Sequence, residues 1–154
     1  MNTQEIEELI DFRLVSGLNI ENGGLFRSRG QGMHPDRTIA SHELIFVVRG
    51  VLSIQEGEIP YEVKTGEALI LTPGLRHWGT ADYPADLMFY WFHFHLRPPR
   101  AQREAEGCQI PKYCAVRQPE RLKEYFQRLL NDQEEGTLTA LQGQILLALM
   151  LLEL

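Results

Sequence analysis

His42-Glu43-Leu44-Ile45-Phe46-Val47-Val48-Arg49-Gly50, and after it Lys64-Thr65-Gly66-Glu67-Ala68-Leu69-Ile70-Leu71-Thr72-Pro73-Gly74-Leu75-Arg76-His77-Trp78, decide how this chain folds. Both are short apolar runs of β-type composition that stop at a glycine or a Pro-Gly turn. The same rhythm extends outward over residues 23–96, where Val, Ile, Phe, Tyr and Trp are cut at close intervals by Gly, Pro and Asp. Strands are expected at residues 44–48, 51–55, 61–63, 68–71 and 87–96, with turns at Glu56-Gly57, Thr65-Gly66, Pro73-Gly74 and residues 82–84. Many short strands at regular spacing predict an all-β sandwich or barrel. Upstream, Thr3 is placed to cap a short helix over residues 4–11, and residues 12–18 begin a further strand.

After Pro119 the period changes. Leu122, Tyr125, Phe126, Leu129 and Leu130 recur at the spacing of an amphipathic helix, which Pro119 opens and Gly136 closes. A second helix is expected to start near Thr137 or Thr139. Leu141, Ile145, Ala148, Leu149 and Leu152 form one stripe of it, yet Leu147, Met150, Leu151 and Leu154 are apolar too. So wide a face needs a cover besides the barrel, and a second subunit or further chain is the expectation.

With 154 residues the chain has single-domain length and buries roughly 70% of the surface of its unfolded form. Hydrophobic residues at 44% and charged residues at 23% are globular averages, which excludes disordered and fibrous classes. A net charge of −6 is a poor footprint for phosphate, so this chain alone is not expected to grip DNA. The longest apolar run, residues 145–152, is far short of the ~20 residues a membrane span requires. Cys108 and Cys114, with no secretory leader before them, suit a reducing cytoplasm, and their spacing fits neither a zinc site nor an expected disulfide.

The two opening stretches carry a further pattern: Glu43, six residues, Gly50; then Gly66, five residues, and a turn ending Gly74-x-x-His77. Together they resemble the paired motifs of a cupin barrel. The longer order of Arg37, His42-Glu43, Gly50, Lys64-Thr65-Gly66-Glu67, Thr72-Pro73-Gly74, His77 and Phe89-Tyr90-Trp91-Phe92-His93-Phe94 resembles the N-terminal sensing domain of AraC-family bacterial transcription regulators, over about residues 22–154. The resemblance implies a mainly β, cupin-like (double-stranded β-helix) barrel followed by two helices that dimerise and lead into a DNA-binding double helix-turn-helix. On this division residues 1–110 are the sensing barrel with an N-terminal arm that can act as a latch, and residues 111–154 the helical dimerisation segment. Binding to DNA would belong to a domain outside this chain, since no basic recognition helix follows.

Metal-binding cupins use two His and a Glu from the first motif and a His from the second. Here the upstream His-x-His is missing around residues 36–39, leaving Glu43 and His77, with His42 on the opposite face of its strand from Glu43. No metal, cofactor or catalytic residue is therefore expected.

The ligand site the resemblance implies is made of other residues. In residues 87–96 the odd positions, including Phe89, Trp91, His93 and His95, share one face, and the family places the Trp of this strand in the lumen against a sugar ring. Phe89 and Trp91 are equally what a packed aromatic core requires. Arg37 offers a fork of donors for hydroxyls or a carboxylate, His34 lies on the same approach, and Glu43 is a carboxylate needing a donor if it points inward. His77 and Trp78 follow the Pro-Gly turn, and as strand neighbours cannot both face in. The expected partner is thus a small polar ligand such as a carbohydrate. The alternatives are a cupin metalloenzyme acting on a sugar or small metabolite, and a packed dimerisation module with no ligand.

Overall fold

The computed structural model describes residues 9–13, 18–96 and 107–154, with side chains described for 18–96 and 109–154. In chain order the elements are β1 (Leu9–Arg13), β2 (Leu18–Arg27), β3 (Arg37–Thr38), β4 (His42–Arg49), β5 (Val51–Glu56), β6 (Ile59–Lys64), β7 (Glu67–Leu71), β8 (Arg76–Gly79), β9 (Met88–Leu96), β10 (Gly107–Pro111), β11 (Tyr113–Ala115), α1 (Pro119–Glu134) and α2 (Ala140–Leu152). A five-stranded sheet, β11-β7-β4-β9-β2, faces a four-stranded sheet, β3-β8-β5-β6, and β1 pairs with β10. All pairs are antiparallel. This is the mainly β, cupin-like two-sheet sandwich with two C-terminal helices that the sequence predicts.

Alternation along β4 and β9 creates two cores on opposite faces of the five-stranded sheet. Ile45, Val47 and Phe89 point between the sheets and meet Leu52, Ile54 and Val63 of the other sheet. Leu44, Phe46, Tyr90, Phe92 and Phe94 point the other way, onto Leu122, Phe126 and Leu129 of α1 and Leu147, Met150 and Leu151 of α2. Both faces being covered explains why these strands read as almost unbroken apolar runs. The helices follow the sequence signals: Pro119 sits in the first turn of α1, Gly136 takes φ 69° beyond its end, and Thr139 with Gln142 forms a capping box on α2. Among the described residues no helix is long and apolar enough to cross a membrane.

Two expectations need correction. Of the expected N-terminal helix, residues 4–8 lie outside the described residues, whereas Leu9–Arg13 is strand, with Ile10 opposite Ile110. The unpaired edge of β10 offers the backbone a ladder, and such long-range pairing overrides a weak local helix preference. The strand expected over residues 12–18 is in fact two: Phe12 belongs to β1 and Leu18 opens β2.

A buried polar knot pins the two sheets together. The ammonium of Lys112, between β10 and β11, meets the Glu56 carboxylate and donates to Thr72 Oγ1 at 2.5 Å, while Thr72 N donates to Glu56 Oε1. Both charged side chains are only 2% exposed, so neither charge has water as an alternative partner. Replacing Lys112 by Met strands the Glu56 carboxylate and is expected to lower the unfolding free energy, read by urea denaturation, by about 3–5 kcal/mol. Adding Glu56→Gln, which keeps an acceptor for Thr72 N but removes the stranded charge, is expected to restore part of that loss.

Candidate functional site

At the same end of the sandwich as the Lys112–Glu56 knot, where Glu56 is the register partner of His77, the interior opens into a cavity of about 290 Å³. Its walls come from β9 (Phe89, Trp91, His93), β4 (Glu43), β2 (Phe26), the segment Met33, His34, Pro35 and Arg37, and Tyr83 from the loop before β9. Glycine makes the aromatic side possible. A Cβ on Gly24, the register partner of Trp91 in β2, would stand 2.9 Å from the indole, so the ring lies where any larger residue would put its side chain. Phe26 stacks on Phe89 at 4.8 Å and tilts against Tyr83 at 4.7 Å, completing an apolar wall.

The polar side is built by sheet register. Arg37 on β3 is the partner of His77 on β8, and Glu43 on β4 is the partner of His93 on β9, so each pair projects from its own sheet into the same space. Arg37 joins them: Nη2 donates to Glu43 Oε2 at 2.9 Å and Nε donates to His77 Nε2 at 3.3 Å. His93 Nε2 lies 3.8 Å from Glu43 Oε2, and its Nδ1 is hydrogen-bonded with Ser41 Oγ at 2.9 Å. His34 enters from the loop, donating from Nδ1 to the Pro35 carbonyl at 3.2 Å. It can pack this close because Gly79 of β8 has no Cβ; one there would stand 2.5 Å from His34 N.

Burial governs protonation here. It pushes Glu43 up to about 7 against the pull of the Arg37 charge and hydrogen bond. Burial also lowers His34 to about 4, helped by His77 and Arg37, and lowers His77 and His93, again with Arg37 contributing. The three imidazoles are neutral acceptors around one permanent cation. Burial and the Glu43 charge hold the Tyr83 hydroxyl protonated, up to about 12.

Of the eight residues singled out in the sequence, His34, Arg37, Glu43, Phe89, Trp91 and His93 line the cavity. His77 lies fully buried behind Arg37, within its hydrogen-bonding reach. Trp78 does not join them: alternation on β8 turns it to the outer face, where the Arg76 guanidinium sits 5.0 Å from its ring. His42 turns away from Glu43, as alternation requires, and stacks on Phe94 on the helix side. His95 donates from Nε2 to Glu21 Oε1 at 2.5 Å, outside the cavity. Phe26, Met33, Pro35 and Tyr83 were not anticipated. Phe26 follows a glycine pair that reads as a break, and Tyr83 sits in a stretch whose Asp and Pro read only as a turn.

Acid should loosen this end of the fold. His34 and His42, lowered from 6.5 to about 4, are neutral in the folded state where the unfolded chain already binds protons, so their contribution is lost as pH falls from 6.5 towards 4. Glu43, raised from 4.5 to about 7, has the opposite sign and gains stability as pH falls through 7 towards 4.5. With His77 and His93 also lowered, the imidazoles outnumber it. The melting temperature is expected to fall on acidification below pH 6.5. His42→Gln is expected to flatten that slope and Glu43→Gln to steepen it, measured by calorimetry across the range.

Comparison with known proteins gives the family. Residues 23–151 match the family described as the AraC-like ligand binding domain. The HTH-type transcriptional regulator YisR of Bacillus subtilis (strain 168) is 27% identical over 155 residues, covering 84% of this chain and 54% of its own, so the chain spans about half the length of that curated relative. Among solved structures, a cupin protein from Bacteroides fragilis is 9% identical, covers 68% of this chain and 88% of its own, and has a TM-score of 0.37. ToxT from Vibrio cholerae, solved with an unsaturated fatty acid bound, is 8% identical, covers 53% of this chain and 30% of its own, and has a TM-score of 0.34. Because the family match runs through the sandwich and both helices, the chain belongs to the AraC-like ligand binding domains.

Proposed function

We propose that this domain senses a sugar or a similar small polar metabolite in the cavity beside Trp91, and that it serves an AraC-type transcription regulator acting in the cytoplasm. The observation that carries the ligand reading is the pairing of an aromatic face with a wall of hydrogen-bond donors and acceptors. The Trp91 indole and the Phe26–Phe89 stack offer surfaces for C–H groups, and across the cavity Arg37, His34, His93 and Tyr83 offer hydrogen-bonding partners for hydroxyls. Carbohydrates present both chemistries on one small ring. His77 lies behind this wall and positions Arg37, while Trp78 is dropped from the proposed contacts. Recognition and release need no bond-making, so the reading is a receptor and not an enzyme.

On the same reading residues 1–110 sense and residues 111–154 dimerise. α2 supports the second role: Leu141, Ile145, Leu149 and Leu152 form a stripe left 36–66% exposed, while Leu147, Met150 and Leu151 are spent on the sandwich. A second copy of the chain would bury that stripe by two-fold symmetry. DNA would be met by a helix-turn-helix domain elsewhere in the protein, consistent with the fraction of YisR that the chain spans. For occupancy to matter, the ligand must favour one packing of the helices over another.

Two experiments test this. In a thermal-shift panel of mono- and short oligosaccharides, a ligand near 100 times its dissociation constant is expected to raise the melting temperature by about 5–10 °C, with or without chelator, and Trp91→Ala is expected to abolish the shift. A panel with no shift from any sugar would overturn the carbohydrate reading and leave a different ligand or a packed module. In analytical ultracentrifugation the domain is expected to sediment as a dimer and Ile145→Glu as a folded monomer. A wild-type domain that is monomeric at high concentration would remove the dimerisation role.

A further inference from the structure

Cupin folds commonly hold a divalent metal, and His34, Glu43 and His77 are a donor set of the right kind. All three are buried, and one ligand atom from each lies within 4.8 Å of the others. Both imidazoles have the tautomer a metal needs. His34 donates from Nδ1 to the Pro35 carbonyl, and His77 accepts at Nε2 from Arg37, so each has an Nε2 lone pair. Two neutral imidazoles and a carboxylate are a standard set for zinc, cobalt or iron.

A cation is already there. The Arg37 guanidinium takes the Glu43 oxygen at 2.9 Å and the His77 lone pair at 3.3 Å, and so engages two of the three residues an ion would use. Guanidinium does not deprotonate in proteins, so it cannot give way by losing its charge. It is also not an accidental visitor: β3 and β8 are in register with Arg37 opposite His77, and the backbone therefore aims the side chain at this spot. A divalent ion seated on the same atoms would stand a few ångströms from a fixed positive charge and be repelled by it. The residues present do not fit a metal while Arg37 is among them.

We propose that Arg37 is the resident cation of a cupin metal cradle: a guanidinium tethered to β3 satisfies Glu43 and His77 in place of an ion, and removing it alone uncovers a divalent-metal site made of His34, Glu43 and His77. The ligand of the native domain then meets the outer edge of a guanidinium, not an ion, so recognition does not require metal. A side chain tethered beside its acceptors has a high effective concentration, which keeps free ions from competing.

The test is a titration of Co²⁺ and Zn²⁺ into four purified proteins, followed by calorimetry and by the visible absorption of bound Co²⁺: the native domain, Arg37→Met, Arg37→Gln and Arg37→Met/His77→Ala. Circular dichroism and a cooperative melt establish that each is folded, and Arg37→Gln stands in if Arg37→Met is not. The neutral variants are expected to bind Co²⁺ at least about 100-fold more tightly than the native domain, given the repulsion removed. The His77→Ala change is expected to erase that gain, showing that it comes from the cradle and not from surface His. Equal affinity of native and neutral variants overturns the proposal, as does a folded neutral variant that gains nothing, or a gain that survives His77→Ala. No sugar enters the titration, so its outcome is independent of which ligand the cavity takes.

Discussion

The contact between Arg37 and Glu43 is the constraint on which the site depends, because there, as at the Lys112–Glu56 knot, the two sheets meet through charge instead of apolar packing. Arg37 belongs to the four-stranded sheet and Glu43 to the five-stranded one. Toward the other end Ile45, Val47, Leu52, Ile54 and Val63 interlock and leave no room. A small sandwich left to apolar side chains closes in this way throughout, since interiors pack to crystal-like density. Polar groups at one end must instead satisfy one another, and their geometry, together with an indole seated over a glycine, keeps space that packing would have filled.

β4 and β9 make that space relevant to the helices. Each strand gives alternate residues to the cavity side and to the helix side, so Trp91 and His93 are separated only by Phe92 from a side chain in contact with α1: Phe92 lies 5.4 Å from Phe126. Phe46 and Tyr90 stack on the same Phe126 from the strand pair. A shift of β9 on ligand binding cannot leave Phe126 where it was, because close-packed aromatics transmit displacement and do not absorb it. The exposed stripe of α2 lies on the element next to α1, so contiguous packing runs from the cavity to that stripe. A route of contiguous packing is a necessary condition for coupling, and demonstrating coupling requires two packings whose balance the ligand tilts.

Most of the architecture was legible because strands and helices announce themselves by period. Alternation along residues 87–96 puts Phe89, Trp91 and His93 on one face, and alternation along residues 42–49 separates His42 from Glu43, since strand geometry admits no other outcome. What was not legible is what depends on partners distant in sequence. β3 has two residues and exists only because β8 lies beside it, and β1 exists because β10 has an edge to fill. Trp78 and His77 could be told apart only by the register of β8. Tyr83 enters the cavity from a loop, where no periodicity says which way a side chain turns. His34 was noticed, but its closeness to His77 rests on the missing Cβ of Gly79, forty-five residues away.

The two buried carboxylates of this fold show how one sequence symbol takes two roles. Glu56 receives Thr72 N on one oxygen and Lys112 on the other, so both oxygens are bound and nothing further can approach. That is the signature of a group held for the fold: its charge is fully answered from within, and its surroundings are closed. Glu43 has one hydrogen-bonded oxygen, a histidine nearby that is neutral, and a cavity in front of it. Burial without a full set of donors is what lifts its protonation toward neutrality. The difference between the two carboxylates is therefore one of surroundings: Glu56 is closed in by its partners, whereas Glu43 has Arg37 on one oxygen and faces the cavity.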